Sequence, residues 1–198
     1  PTSNPDYLAW PVTQGAPVDT LGNPRIFGDQ MAWSVFNDAD PTNHVNDAAS
    51  TAPLGLEVQM SAFGFARGGA LGNTVFFKYV IINKGTNTLD STFVSLWADP
   101  DLGDAASDLV GCDTVLSLGY CYNQGPDGIY GSAPPAVGFD FFQGPIVPGE
   151  ETDSALVNGE WRHGFKNLPM ASFNKYINGT DPASRVETYG YMKGLTKD

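Results

Sequence analysis

The chain has 198 residues, a formal net charge of −12, 41% apolar residues and 12% aromatic residues. That length buries a sizeable core as one domain or two small ones, and the charge excludes a nucleic-acid backbone as partner, since phosphates are bound by clustered Lys and Arg. No stretch of about 18 apolar residues occurs, so no membrane insertion is expected, and the opening residues carry no signal-peptide pattern, so the chain reads as a mature or excised piece of something longer.

Asp outnumbers Glu 17 to 5, and there are 23 Gly and 15 Pro. Asp serves turns and hard-metal loops whereas Glu favours helices, so this balance predicts a turn-rich, β-rich fold. Residues 1–30 carry Pro5, Pro11, Pro17 and Pro24 and read as an extended lead-in anchored by Trp10. Residues 31–36 predict a short strand with Trp33 and Val35 on one face. A polar loop of turn formers follows over residues 37–47. Residues 54–65 alternate, with Leu56, Val58, Met60 and Ala62 on one side, as a half-buried strand does.

Residues 73–83 are rich in β-branched and aromatic side chains and predict a further strand, with a turn over 84–88. Residues 89–98 predict its partner, apolar on both faces and so placed inside a packed sandwich, with Trp33 and Trp97 as core residues. Residues 115–122 and 136–143 read as strands around a turn at 123–128, and beyond Pro145 the pattern weakens. The expectation is all-β: one antiparallel β-sandwich domain over 31–198, with a barrel as the alternative.

From Gly85 to Trp161 there is no Lys or Arg, while the same stretch holds twelve acids. Five of them, Asp99, Asp101, Asp104, Asp108 and Asp113, fall within fifteen residues. Packed in one loop they repel one another, and Ca²⁺ relieves this because it takes six to eight oxygen ligands from Asp, backbone carbonyls and water. The spacing is not that of an EF-hand: with Asp99 at position one, the glycine position holds Asp104 and the terminal glutamate position holds Val110. Calcium is therefore expected in a loop of another type, with Asn123 and Asp127 as further oxygen donors. Asn37, Asp38, Asp40 and Asp47 form a weaker second acidic group that Asx turns explain equally well.

Cys112 and Cys121 lack a zinc-type spacing, and in an exported chain they predict a local disulfide. The sequence has no nucleophile elbow, His-Glu-x-x-His, P-loop or dinucleotide-binding motif, and His44 and His163 lie in polar loops, so no enzyme is expected. A glycosidase pair such as Glu57 with Glu160 is not singled out by anything around it. Trp161 and Tyr130 lie in predicted loops and are candidates for stacking on sugar rings. Asn178-Gly179-Thr180 is a glycosylation sequon.

Residues 75–84 (VFFKYVIINK), 89–104 (LDSTFVSLWADPDLGD) and 108–114 (DLVGCDT) carry a family resemblance, joined by 28–30, 37–38, 134–145 and 173–176. Together they resemble a module of large secreted bacterial surface proteins, of the kind that end in a type IX secretion sorting domain. The resemblance implies export and a non-catalytic surface role. The reading is an extracellular, calcium-stapled structural or adhesive module whose partners are surface or matrix components, glycans or copies of itself. Alternatives are a carbohydrate-binding module of a secreted enzyme and a repeating subunit of an extracellular filament.

Overall fold

The computed structural model describes residues 3–44, 51–176 and 181–195. It shows an all-β protein built from antiparallel pairs. The chain forms two compact units, Pro1–Asp90 and Ser91–Asp198.

The first unit centres on a three-stranded meander of β1 (Gln30–Asn37), β2 (Leu56–Gly64) and β3 (Val75–Asn83), close to the three strands expected there. Its register, Trp33 opposite Ser61 opposite Lys78, fixes which side chains share a face, because side chains alternate along a strand. One face carries Phe63 and Phe76, stacked at 5.3 Å, and packs Phe27 at 5.5 Å and Phe65 at 5.8 Å around them. Residues 3–29, expected to be extended, contain the short helix α1 (Pro5–Leu8), capped by the Asn4 side chain. The Trp10 ring N–H donates to the Pro17 carbonyl at 3.0 Å, a bond within this same segment.

The second unit holds a second meander, β4 (Asp108–Asp113), β5 (Leu118–Asn123) and β6 (Ala136–Asp140). After it come β7 (Ile146–Pro148), the hairpin β8 (Ser154–Val157) and β9 (Glu160–His163), and β10 (Phe165–Asn167), which pairs back on β7. Helix α2 (Arg185–Met192) closes the unit.

Two expectations are corrected. Residues 89–98 form no strand: Ser91 takes a left-handed φ of +53°, which breaks an extended run at its start, and Trp97 is 67% exposed rather than in a core. The second half of the acidic stretch is not loop but strand β4. It tolerates Gly111 because the cross-strand Tyr120 ring lies over the glycine and fills the missing side chain's place. Ala16, Cys121, Ala155 and Pro182 are the buried apolar residues among those described, glycines aside.

Candidate functional site

The acidic segment departs from residues 99–107 into β4, and its carboxylates bind backbone amides. The Asp108 carboxylate accepts from the Leu102 amide at 2.9 Å and from the Asn123 side-chain amide at 3.0 Å. Asn123 also donates to the Leu102 carbonyl, and its own oxygen accepts from the Ser107 hydroxyl. Asp104 caps the short 3-10 turn Ala105–Ser107 by accepting from the Ala106 amide at 3.1 Å. Asp113 accepts from Val115 and Leu116 at 2.9 and 3.0 Å, which sets the turn into β5. Among the described residues, the exposed Asp99 and Asp101 carboxylates accept no hydrogen bond.

The residue that ties this region together is Asp127. Its side chain is 5% exposed and accepts from the amides of Asp104 at 2.9 Å, Ile129 at 2.8 Å and Tyr130 at 2.7 Å. The amide bonds, led by that of Asp104, hold its carboxyl below the ordinary carboxylate value. Gly103 makes room for it: a side chain there would collide with the Asp127 carboxylate, and φ of +87° favours glycine. Sequence reasoning gave Asp127 only a supporting part. The signal was its place in a Pro-Asp-Gly turn, where an Asp carboxylate reaches the amides two residues on.

The first unit repeats the device. The Asp38 carboxylate accepts from the consecutive amides of Leu54, Gly55 and Leu56, at 2.5 to 3.0 Å for the shortest bond to each. Asp29 accepts from Ala66 at 2.9 Å. These two acids clamp the opposite ends of the β1–β2 pair. Asp40 caps the 3-10 turn Pro41–Asn43. The second acidic group is thereby explained as backbone clamps, and its member Asp47 lies outside the described residues, as does the sequon at Asn178. Beside Asp38, a shallow recess of about 340 Å³ is bordered by Asn37, Leu56 and the ion pair between Glu57 and Lys84. No three metal-ligating side chains converge on one point among the described residues.

Cys112 and Cys121 are both free, so the expected bond is not formed in the structure. The register explains why. Cys112 faces Gly119 and Cys121 faces Val110, which makes the cysteines diagonal neighbours on adjoining strands, about 7–8 Å apart and beyond disulfide reach. The Cys121 thiol instead points to the Pro100 carbonyl at 3.9 Å. Burial pushes both thiols up from their ordinary value. We expect two alkylations by intact mass when freshly prepared protein is unfolded without reductant, and slow labelling while it is folded. Labelling only after reduction would establish the disulfide.

Trp161 on β9 and Tyr130 beside Asp127 are each more than half exposed, and no ring contact joins them among the described residues. His163 Nδ1 meets the Ser154 hydroxyl at 2.9 Å across the β8–β9 pair. In a catalytic triad the serine meets Nε2 and a carboxylate holds Nδ1, so this contact is an ordinary cross-strand pair. His44 Nε2 lies 2.8 Å from the Asp38 carbonyl oxygen. Comparison with protein-family models, with curated proteins and with solved structures found no match.

Proposed function

We propose that the chain is an extracellular structural or adhesive module of a larger surface protein, and not an enzyme. The observation that carries this reading is the outward apolar face of the β1–β3 sheet, where Phe36, Val58 and Ile81 form one row across the strands, Phe77 and Tyr79 stack further along β3, and Phe36, Phe77, Tyr79 and Ile81 are exposed. Contiguous apolar surface of that kind marks a contact site, because water-facing surfaces break such patches with polar groups. The family resemblance and the acidic surface, which repels its own kind and keeps an exported chain dispersed, agree with it. Protease shaving of intact source cells tests the reading. Peptides from residues 91–198 in the shaved fraction are expected, and peptides found only in the cell interior would overturn it.

Calcium is part of the proposal in a narrower form than a shared five-acid site. The amide clamps leave the carboxylates of Asp99 and Asp101 over, together with single oxygens of Asp104 and Asp113. A cation taken there adds to a loop already folded by its own hydrogen bonds. Any ligand of the folded state alone stabilises by RT ln(1 + [L]/Kd), about 2.7 kcal/mol at a hundredfold excess over Kd. Melting in calcium is expected several degrees above melting in chelator. Coincident melts from metal-free protein would leave the clamps as the whole explanation.

The exposure of Trp161 and Tyr130 favours a second reading, a carbohydrate-binding module, since flat exposed rings stack on sugars. Binding on a glycan array that Trp161→Ala abolishes would establish it.

A further inference from the structure

We infer that the apolar face of the β1–β3 sheet is the seat of a second copy of this chain, which lays its own identical face against it. The inference rests on the structural-module reading and names that module's partner.

The register defines the face. Val75 stands opposite Gly64, Phe77 opposite Ala62 and Ala32, Tyr79 opposite Met60 and Ser34, and Ile81 opposite Val58 and Phe36. Alternation along each strand points these side chains away from the Phe27, Phe63 and Phe76 cluster. Burial follows the same alternation: Phe36, Val75, Phe77, Tyr79 and Ile81 are between 42% and 63% exposed. Phe77 and Tyr79 stack on one another at 6.3 Å, which holds two rings flat on the surface.

Area favours a sheet of the same size as the occupant. The three rings, the two aliphatic side chains and the partly covered β2 residues offer on the order of 600 Å² per copy, close to the roughly 800 Å² that each partner gives to a standard interface.

Charge favours the same occupant. Copies at −12 repel each other through most of their surface, yet among the ladder positions of this face the only titratable group is the Tyr79 hydroxyl. Face-to-face contact there buries no acid. Such a contact has two-fold symmetry, and two antiparallel sheets pack about 10 Å apart with strands within about 30° of each other. The pair completes the two-layer sandwich that strands with apolar residues on both sides call for.

Sedimentation velocity of the full chain over a wide dilution series tests this. A dimer that dissociates on dilution is expected. Phe77→Glu, which sets a carboxylate into the contact, should raise the dissociation constant more than tenfold with the circular dichroism unchanged. Should that variant lose its fold, Tyr79→Ser and hydroxyl-radical labelling of the parent decide: Phe36, Phe77 and Tyr79 should be protected in the dimer and labelled in the monomer. A parent that is monomeric throughout, a dimer indifferent to both variants, or equal labelling in both states overturns the inference. A monomer recovered from the cell surface would sink this inference alone, whereas a dimer found only inside cells would sink the export reading alone.

Discussion

Replacing Asp127 with Ala should lower the melting temperature by on the order of 5 °C, because removing a charged acceptor strands the part-buried amides it served. Three amides depend on that carboxylate, from two stretches of chain more than twenty residues apart. Asp127→Asn separates them. The amide oxygen of Asn can take the place of the oxygen that accepts from Ile129 and Tyr130, so the turn survives. Its NH2 group then confronts the Asp104 amide, donor against donor, and the link to the acidic segment is lost. We therefore expect Asn to cost clearly less than Ala, with the loss confined to residues 99–108. Amide hydrogen exchange checks this: the Asp104 amide should lose protection in both variants, and those of Ile129 and Tyr130 only in Ala. Equal loss at all three amides in both variants would show that Asp127 does not act as two separable acceptors.

The second large effect is acid lability. Asp19, Asp38, Asp40 and Asp127 all have carboxyls held below the ordinary Asp value of 3.8, through hydrogen bonds to their charged form that outweigh the cost of partial burial. A carboxyl whose folded value is depressed contributes stability that is fully present above its unfolded value and is lost as pH falls through the folded one. The denaturant midpoint should thus stay flat from neutral pH down to about pH 5, then fall steeply below pH 4. The acid limb should be shallower in Asp127→Asn, which has one fewer group to protonate. Neutral amides and hydroxyls are the main partners, so added salt should change this limb little, unlike one built on exposed ion pairs. A midpoint independent of pH down to pH 3 would contradict the clamp account.

The strands of the first unit were legible because their periodicity is strong: residues 75–83 hold seven β-branched or aromatic side chains in nine, and 56–64 alternate. The same signal misled at residues 89–98, where propensity describes what a segment can do and not whether a neighbour pairs with it. Helix α2 was missed although its start is written in the sequence. Ser184 and Glu187 have the spacing of a capping box: the serine oxygen accepts from the Glu187 amide, and the glutamate reaches back to the amide of Ala183, one residue before the cap. The acidic cluster was visible as a cluster, but the partners of its carboxylates were not. Backbone amides have no letter of their own, so a sequence full of Asp suggests a metal where the chain supplies donors of its own. The surplus of Asp over Glu reads differently with the structure in hand: Asp is short enough to reach an amide two or three residues away, as Asp104, Asp113 and Asp127 do.

In both meanders every strand pairs with the one before it in the chain, and the clamp bonds of Asp104 and Asp113, like two of the three at Asp127, close over only two or three residues. These parts of the architecture form between neighbours in the chain, while the Asp29 and Asp38 clamps and the β7–β10 pair join segments further apart. Proteins whose contacts are near in sequence lose little entropy in reaching their transition state and refold quickly, with hairpins forming on the order of microseconds. A chain that must pass through a narrow exit one segment at a time could therefore set each hairpin as it emerges, without holding unfinished strands exposed until the last residue arrives.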